Sequence, residues 1–507
     1  MLTKDQLAAG VKSGEFDTVV VAFTDMQGRL MGKRVDAEYF VETSYEGEST
    51  EGCNYLLALD MEMDPVPGYQ MANWEQGYGD FDLVPDFKTL RRIPWLPSTA
   101  LVLCDVAWHD GKPVRPSPRQ VLRAQIERAR KLGFEPMFGS ELEFYLLKET
   151  FAEAHARNYT GLTPSVPYIL DYHILATTYD EPFIRAVRNG MKGAGIQVES
   201  SKGEAWPGQQ EINFRFSDAL TMADNHVIYK NGVKELAHLN GCAVTFMAKP
   251  DHRWIGSSCH VHSSLWKDKR NVFDGESETF KQYLAGHIAH ASELAIFLAP
   301  TINSYKRYAA GSWAPTTLAW GHDNRTCGFR IVGHGQHLRA ESRIPGADVN
   351  PYLCFAALLA AGLHGIEKKL ELPPEFKGNA YESDVQRFPH ALRDAITEME
   401  GGTMARQAFG DEGSTARSLS SRARRAASAA RRRCCSRAKA RACASPTWAS
   451  RRARRPRQSA GTRSSSRRTS AIQRASRPCT PKPRSATAGS TSSTTTPASC
   501  RRTTIRS

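Results

Sequence analysis

The chain has 507 residues and a formal net charge of +14, and that charge is divided unevenly. Residues 413–507 carry 25 of the 67 Lys and Arg and no Asp or Glu, which leaves residues 1–412 with 42 basic against 53 acidic side chains. The basic balance is therefore no argument for a nucleic-acid-binding body, and no run reaches the roughly 18 apolar residues that a membrane helix needs.

Met1 to Gly10 lacks the apolar core of a signal peptide, so a cytoplasmic protein is expected. Cys53, Cys104, Cys242, Cys259, Cys327 and Cys354 have no paired metal spacing and read as reduced core thiols. Thr18–Phe23 and Leu30–Val35 flank the turn Asp25-Met26-Gln27-Gly28 and predict a hairpin. Leu101–Val106 reads as a strand, and the proline-rich stretch 112–118 as a linker between domains at 1–112 and 113–412. Ser117 and Pro118 then open a helix that Gly133 ends, and further helices are expected at 181–194, 218–241, 278–297 and 350–370.

Between these helices lie short strands with one ionisable face. In Phe138-Gly-Ser-Glu-Leu-Glu-Phe-Tyr-Leu146, alternation puts Glu141 and Glu143 on one side and Leu142, Phe144 and Leu146 on the other. The pattern recurs in Cys259-His260-Val261-His262-Ser263-Ser264 and in Arg339-Ala340-Glu341-Ser342-Arg343, while Glu204 and Glu211 flank a loop. One such strand is ordinary amphipathic surface; four that mix Glu, His and Arg suggest the oxygen-rich donor set of hard divalent cations. A Walker-type phosphate loop is missing, so a nucleotide would be held through metals and arginines. Residues 413–507 hold one aromatic and three large aliphatics, too few to offset the entropy of ordering them. That tail is expected to be disordered, and its Arg, Ala, Ser, Thr and Pro bias reads as a frameshift artefact rather than a nucleic-acid arm.

Several motifs in order resemble the glutamine synthetase family, type I, from about residue 10 to residue 412. They are Gly139–Phe144, Pro207-Gly-Gln-Gln-Glu211, Phe246-Met-Ala-Lys-Pro250, Gly256–His262, Asn303-Ser-Tyr-Lys-Arg307, Asn324-Arg325, Arg339–Arg343 and Asn350-Pro-Tyr-Leu353. The resemblance implies an α+β fold: a small N-terminal β-grasp domain and a larger catalytic domain with an antiparallel active-site sheet. It also implies homo-oligomers with active sites between subunits. It implies ATP and two Mg2+ or Mn2+ ions per site, one on Glu143, Glu204 and Glu211, the other on Glu141, His260 and Glu341. His262, Ser264, Arg330 and Arg339 would contact ATP; Arg307, Arg343 and Gly256 would bind substrate; Arg325 would meet the transferring phosphate. The implied reaction joins the γ-carboxylate of glutamate to an amine through an acyl phosphate, with Glu204 as a candidate base.

The amine side departs from the family pattern. No Asp-Gly-Ser-Ser loop occurs around residues 46–55, Trp313 stands where the family flap carries Glu, and Ile255 where it carries Asn. Losing anions weakens a site for hydrated ammonium, whereas Trp offers an apolar and cation–π wall for a larger amine. The pattern is similar to γ-glutamylpolyamine and γ-glutamylethanolamide synthetases. Ordinary glutamine synthetase, a phosphagen-type kinase and an inactive structural relative are the competing readings.

Overall fold

In a computed structural model that describes residues 1–409 apart from Glu46 and Ser49, the strands form two sheets in a mixed α/β fold. The basic tail expected at 413–507 lies outside the described residues.

The smaller sheet contains β1 (Thr18–Thr24), β2 (Leu30–Asp36), β3 (Thr50–Cys53), β4 (Asp80–Pro85), β5 (Arg91–Arg92) and β6 (Thr99–Ala107). Its order is β2-β1-β6-β4-β3, with β5 beside β6. The expected hairpin is present, Thr18 opposite Asp36 and Thr24 opposite Leu30. Strand β1 runs parallel to β6, and the other pairings are antiparallel. Helices α1 (Lys4–Lys12) and α2 (Ala37–Ser44) contribute Leu7, Ala37 and Phe40 to its core. The stretch anticipated as a linker is bound down: Val114 is fully buried and its N–H donates to Val106 O.

The larger sheet contains β7 (Glu135–Leu147), β8 (Val198–Gly203), β9 (Gln209–Phe214), β10 (Ser217–Asp218), β11 (Ala243–Thr245), β12 (Cys259–Lys267), β13 (Arg270–Asn271), β14 (Trp320–His322), β15 (Phe329–Val332) and β16 (Arg339–Ser342). Its main order is β14-β15-β16-β12-β7-β9-β8. It is antiparallel except for the parallel β14–β15 pair. Helices α3 (Pro118–Lys131), α4 (Phe151–Ala156), α5 (Ile174–Thr177), α6 (Glu181–Gly193), α7 (Ala219–Leu239), α8 (Glu278–His290), α9 (Ala295–Leu298) and α10 (Pro351–Lys368) follow in chain order. The helix expected over 278–297 is broken into α8 and α9 at residues 291–294. There Glu293 accepts from the His290 ring at 2.5 Å and from the Ala405 N–H at 3.2 Å.

One face of the large sheet is apolar, and it is backed by α7, α8 and α10. Phe138 of β7 stacks on Phe355 of α10 with ring centroids 4.8 Å apart. Leu142, Phe144, Ile212, Val261, Leu265 and Ala340 join the same buried cluster, as do Ala22, Leu101 and Leu103 of the small sheet. Helices α8 and α10 touch backbone to backbone. A Cβ on Gly286 would lie 2.1 Å from Ala361 O, and one on Gly365 would lie 2.1 Å from Gln282 O. This approach lets α10 sit flat beneath the strands that carry the charged face.

A buried arginine ties the two sheets together. Arg119 on α3 donates to both carboxylate oxygens of Asp224 on α7, at 3.0 and 2.9 Å. It also donates to Asp105 on β6 at 2.7 Å and to Asp86 after β4 at 2.8 Å. The Tyr352 hydroxyl donates to Asp224 at 2.6 Å. Removing the buried central cation from such a group strands the charge of Asp224, so Arg119→Met is expected to lower unfolding free energy by about 3–5 kcal/mol in urea denaturation; Arg123, which also pairs with Asp86 and Asp105, offsets part of that loss. Gly286→Ala is expected to cost about 1–3 kcal/mol through overpacking, read from the same midpoint shift.

Candidate functional site

The polar face of the large sheet is set by strand register. His260 on β12 lies opposite Glu141 on β7, and His262 opposite Glu341 on β16. Glu143 on β7 lies opposite Glu211 on β9, which in turn faces Lys202 on β8. Arg330 on β15 is opposite Glu341. Alternation sends the even-numbered residues of β7 into the core and the glutamates outward, so the face is a direct product of the strand period.

Two donor groups come together. The ligand atoms of Glu141, His260 and Glu341 all lie within 4.8 Å of one another, as do those of Glu143, Glu211 and His260. The first group is the set expected for one ion. The second shares two of its three members with the other expected set, and His260 stands in place of Glu204. Glu204 is instead ion-paired with Lys202.

The two groups differ in how their charge is balanced. Glu341 is fully buried, and burial would raise its pKa, but Arg343 and then His262 and His260 hold it down at about 2. Arg343 donates to Glu341 at 2.6 Å and Arg330 at 2.9 Å. Burial also opposes ionisation of Glu141, yet His262 and His260 outweigh it and pull its pKa down. Glu143, by contrast, is pushed up to about 8 by burial and then by the charge of Glu204. Burial, followed by Glu204, Glu141 and Glu143, drives Glu211 well above the carboxylate range. Lys202, and Arg307 for Glu143, do not offset this crowding and dehydration, and a hard divalent ion would supply the missing positive charge. The donor set thus fits Mg2+ or Mn2+ on chemical grounds.

Around these residues the polar contacts are specific. Glu143 accepts from the Ser258 N–H at 2.9 Å and from Gln209 Nε2 at 3.0 Å, and Gln209 also donates to Gly256 O at 3.1 Å. Arg339 Nε donates to His262 Nδ1 at 3.2 Å, and His262 Nε2 lies 3.0 Å from Glu141 Oε1. Next to them is a pocket of about 260 Å³ lined by Glu141, His262, Ser264, Arg339, Phe216 and Trp266, among others. The Phe216 and Trp266 rings are 6.0 Å apart, and the Ser264 hydroxyl accepts from the Trp266 indole at 3.0 Å. Aromatic walls beside a carboxylate and an arginine suit a flat heterocycle carrying phosphates.

Four expected residues sit elsewhere than at this face. Arg307 is buried and spends its guanidinium on backbone carbonyls: Ile344 O at 2.9 Å, Arg343 O at 2.9 Å and Pro345 O at 3.0 Å. Gly256 is required beside it, because a Cβ there would meet Arg307 Cγ at 2.4 Å. Arg325 is exposed on the β14–β15 loop. Trp313 is 57% exposed on a loop with φ of +63°, a left-handed conformation rare for a bulky residue, and Ser312 donates to Arg307 O to hold the loop. Gln209, Phe216, Trp266 and Lys202 escaped the sequence reading. Only Lys202 carried a usable signal, lying two residues before Glu204 and so on the same side of an extended chain.

Among the described residues, no helix is long and apolar enough to cross a membrane. Residues 115–416 match the profile described as glutamine synthetase, catalytic domain. A γ-glutamylethanolamide synthetase of Streptomyces coelicolor is 51% identical over 412 residues, covering 80% of this chain and 89% of that protein. A glutamate–isopropylamine ligase of a Pseudomonas species is 39% identical over 414 residues, covering 79% and 90%. The glutamine synthetase of Thermus thermophilus is 33% identical over 436 residues, covering 81% and 92%. A solved structure described as a GmaS–ADP complex superposes with a TM-score of 0.73 at 28% identity, covering 84% of this chain and 96% of that one. With its carboxylate-lined sheet and these relatives, the chain belongs to the glutamine synthetase family.

Proposed function

We propose that the protein is an ATP-dependent ligase that joins the γ-carboxylate of glutamate to an organic amine. The observation that carries the reading is the coexistence of a complete carboxylate, histidine and arginine face with Trp313, and no glutamate, on the flap. Relatives named for ethanolamine and isopropylamine support the same choice of acceptor.

In this reading the carboxylate face would hold two divalent ions, Mg2+ or Mn2+, which would supply neutralisation of ATP phosphate charge. Glu143, Glu211 and the Glu204 oxygen not paired with Lys202 would hold one; Glu141, His260 and Glu341 would hold the other. His262, Ser264, Arg330 and Arg339 would orient the nucleotide, with Phe216 and Trp266 forming the aromatic wall of its pocket. A γ-carboxylate oxygen of glutamate attacks the terminal phosphorus and ADP leaves. The neutral amine nitrogen then attacks the acyl carbon, the C–O bond to phosphate breaks, and the extra proton passes to Glu204 or water. Arg343 and Arg325 bind negative charge on glutamate and on the departing phosphate. Arg307 acts from beneath, by fixing the carbonyls of 343–345. Active sites completed between subunits of a homo-oligomer belong to the same reading.

The test is glutamate-dependent phosphate release from ATP with ammonium, ethanolamine and isopropylamine, alongside mass detection of the γ-glutamyl product. Product with an organic amine at higher kcat/KM than with ammonium is the expected result; preference for ammonium would reassign the protein as a glutamine synthetase. Glu211→Ala is expected to lower kcat/KM by more than the roughly 10–100-fold typical of losing a ligand's outer support, and to abolish the rise in Tm that Mn2+ gives the wild type. Trp313→Glu is expected to move the ammonium-to-ethanolamine ratio of kcat/KM toward ammonium by about tenfold, in keeping with the loss of a cation–π contact of ~0.5–2 kcal/mol.

A further inference from the structure

Lys202, the penultimate residue of strand β8, lies opposite Glu211 and two residues before Glu204. Its ammonium is paired with Glu204 and lies 3.9 Å from Asp171 Oδ1. It also sits 4.4 Å from the centroid of the Tyr172 ring. Two carboxylates and one aromatic face around a single nitrogen make up the chemistry that recognises an alkylammonium ion. Here the chain's own side chain fills that cage.

The cage is a built feature. Gly203 has no room for a side chain, because Leu170 lies on it and a Cβ would approach Leu170 Cβ to 2.3 Å. The Tyr172 N–H donates to Gly203 O at 3.5 Å, and Tyr172 takes a φ of +54°. The loop bearing Asp171 and Tyr172 is thereby pressed against the end of β8. Lys202 is held at the end of the carboxylate row where Glu204, the candidate base for the amine, stands.

We propose that Lys202 is a specificity-determining residue of the amine-accepting end. Its ammonium occupies the cationic subsite formed by Glu204, Asp171 and Tyr172. Acceptors whose far end is neutral, an alkyl or hydroxyalkyl group, are accommodated. Diamines and polyamines are disfavoured, since their second ammonium would have to enter a cage that already holds one. Like charges a few ångströms apart in a partly dehydrated site repel strongly. This inference rests on the reading of an organic amine as acceptor, and it narrows that acceptor to amines with one positive charge.

The experiment uses the full-length enzyme with saturating ATP, Mg2+ and glutamate. kcat/KM is measured for ethanolamine, isopropylamine and 1,4-diaminobutane on wild type, Lys202→Met, Lys202→Gln and Lys202→Arg. The wild type is expected to favour ethanolamine over the diamine at least tenfold. The two neutral variants are expected to narrow or reverse that ratio by tenfold or more, while Lys202→Arg keeps it. A merely structural role for the Lys202–Glu204 pair would scale all amines alike, and so leave the ratio unchanged. An unchanged ratio in whichever neutral variant folds, or a wild type that already uses the diamine as well as ethanolamine, overturns the proposal. A wild type active with ammonium and with none of the organic amines overturns the ligase reading instead, and this inference with it.

Discussion

Glu143 and Glu211 are held side by side because β7 and β9 pair in one register, and the nearby Lys202, which favours ionisation of both, does not offset their burial and the charge of neighbouring carboxylates. That unfavourable contact is tolerated because the opposite face of the same strands buries Leu142, Phe144, Ile212 and Val261 against three helices. The apolar face supplies the stability, and the charged face uses it to keep carboxylates in a place they would otherwise leave. A one-residue slip of β7 would exchange the two faces, so core and site depend on the same register.

Charge balance then separates the halves of the site. Glu341 is served by Arg330 and Arg343 and stays ionised without help. Among the described residues Glu143 and Glu211 form no ion pair with Arg or Lys, and a divalent ion would stabilise their ionised forms. His260 belongs to both donor groups, so the two halves are contiguous rather than separate. The supports lie behind them. Arg119 joins strand β6 to helices α3 and α7, and the glycine contact of α8 with α10 sets how flat the helical layer lies.

At the end proposed to receive the amine, the structure adds to what the sequence offers. Trp313, expected in place of an acidic flap residue, is exposed on its loop, while Lys202 places a positive charge on Glu204. In the proposed reading both features limit the negative charge offered to a small hydrated cation. They act from different elements, a flap with a left-handed residue and the end of an edge strand.

Strand alternation made the two faces of β7, β12 and β16 readable from residue types alone, because a period of two needs no tertiary information. Cap residues and helical spacing likewise marked α3, α6, α7 and α10 to within a residue or two. The family resemblance located Glu141, His260 and Glu341, which the fold does bring together. The partner of each charge was not legible. Glu204 turns to Lys202, His260 serves both donor groups, and Arg307 faces the carbonyls of 343–345. Phe216 and Trp266 meet only because β7 and β12 set their flanking segments side by side. The residue types and their sidedness came from local sequence; the pairings came from tertiary structure, because a side chain's partner depends on the register and loop path of segments remote in the chain.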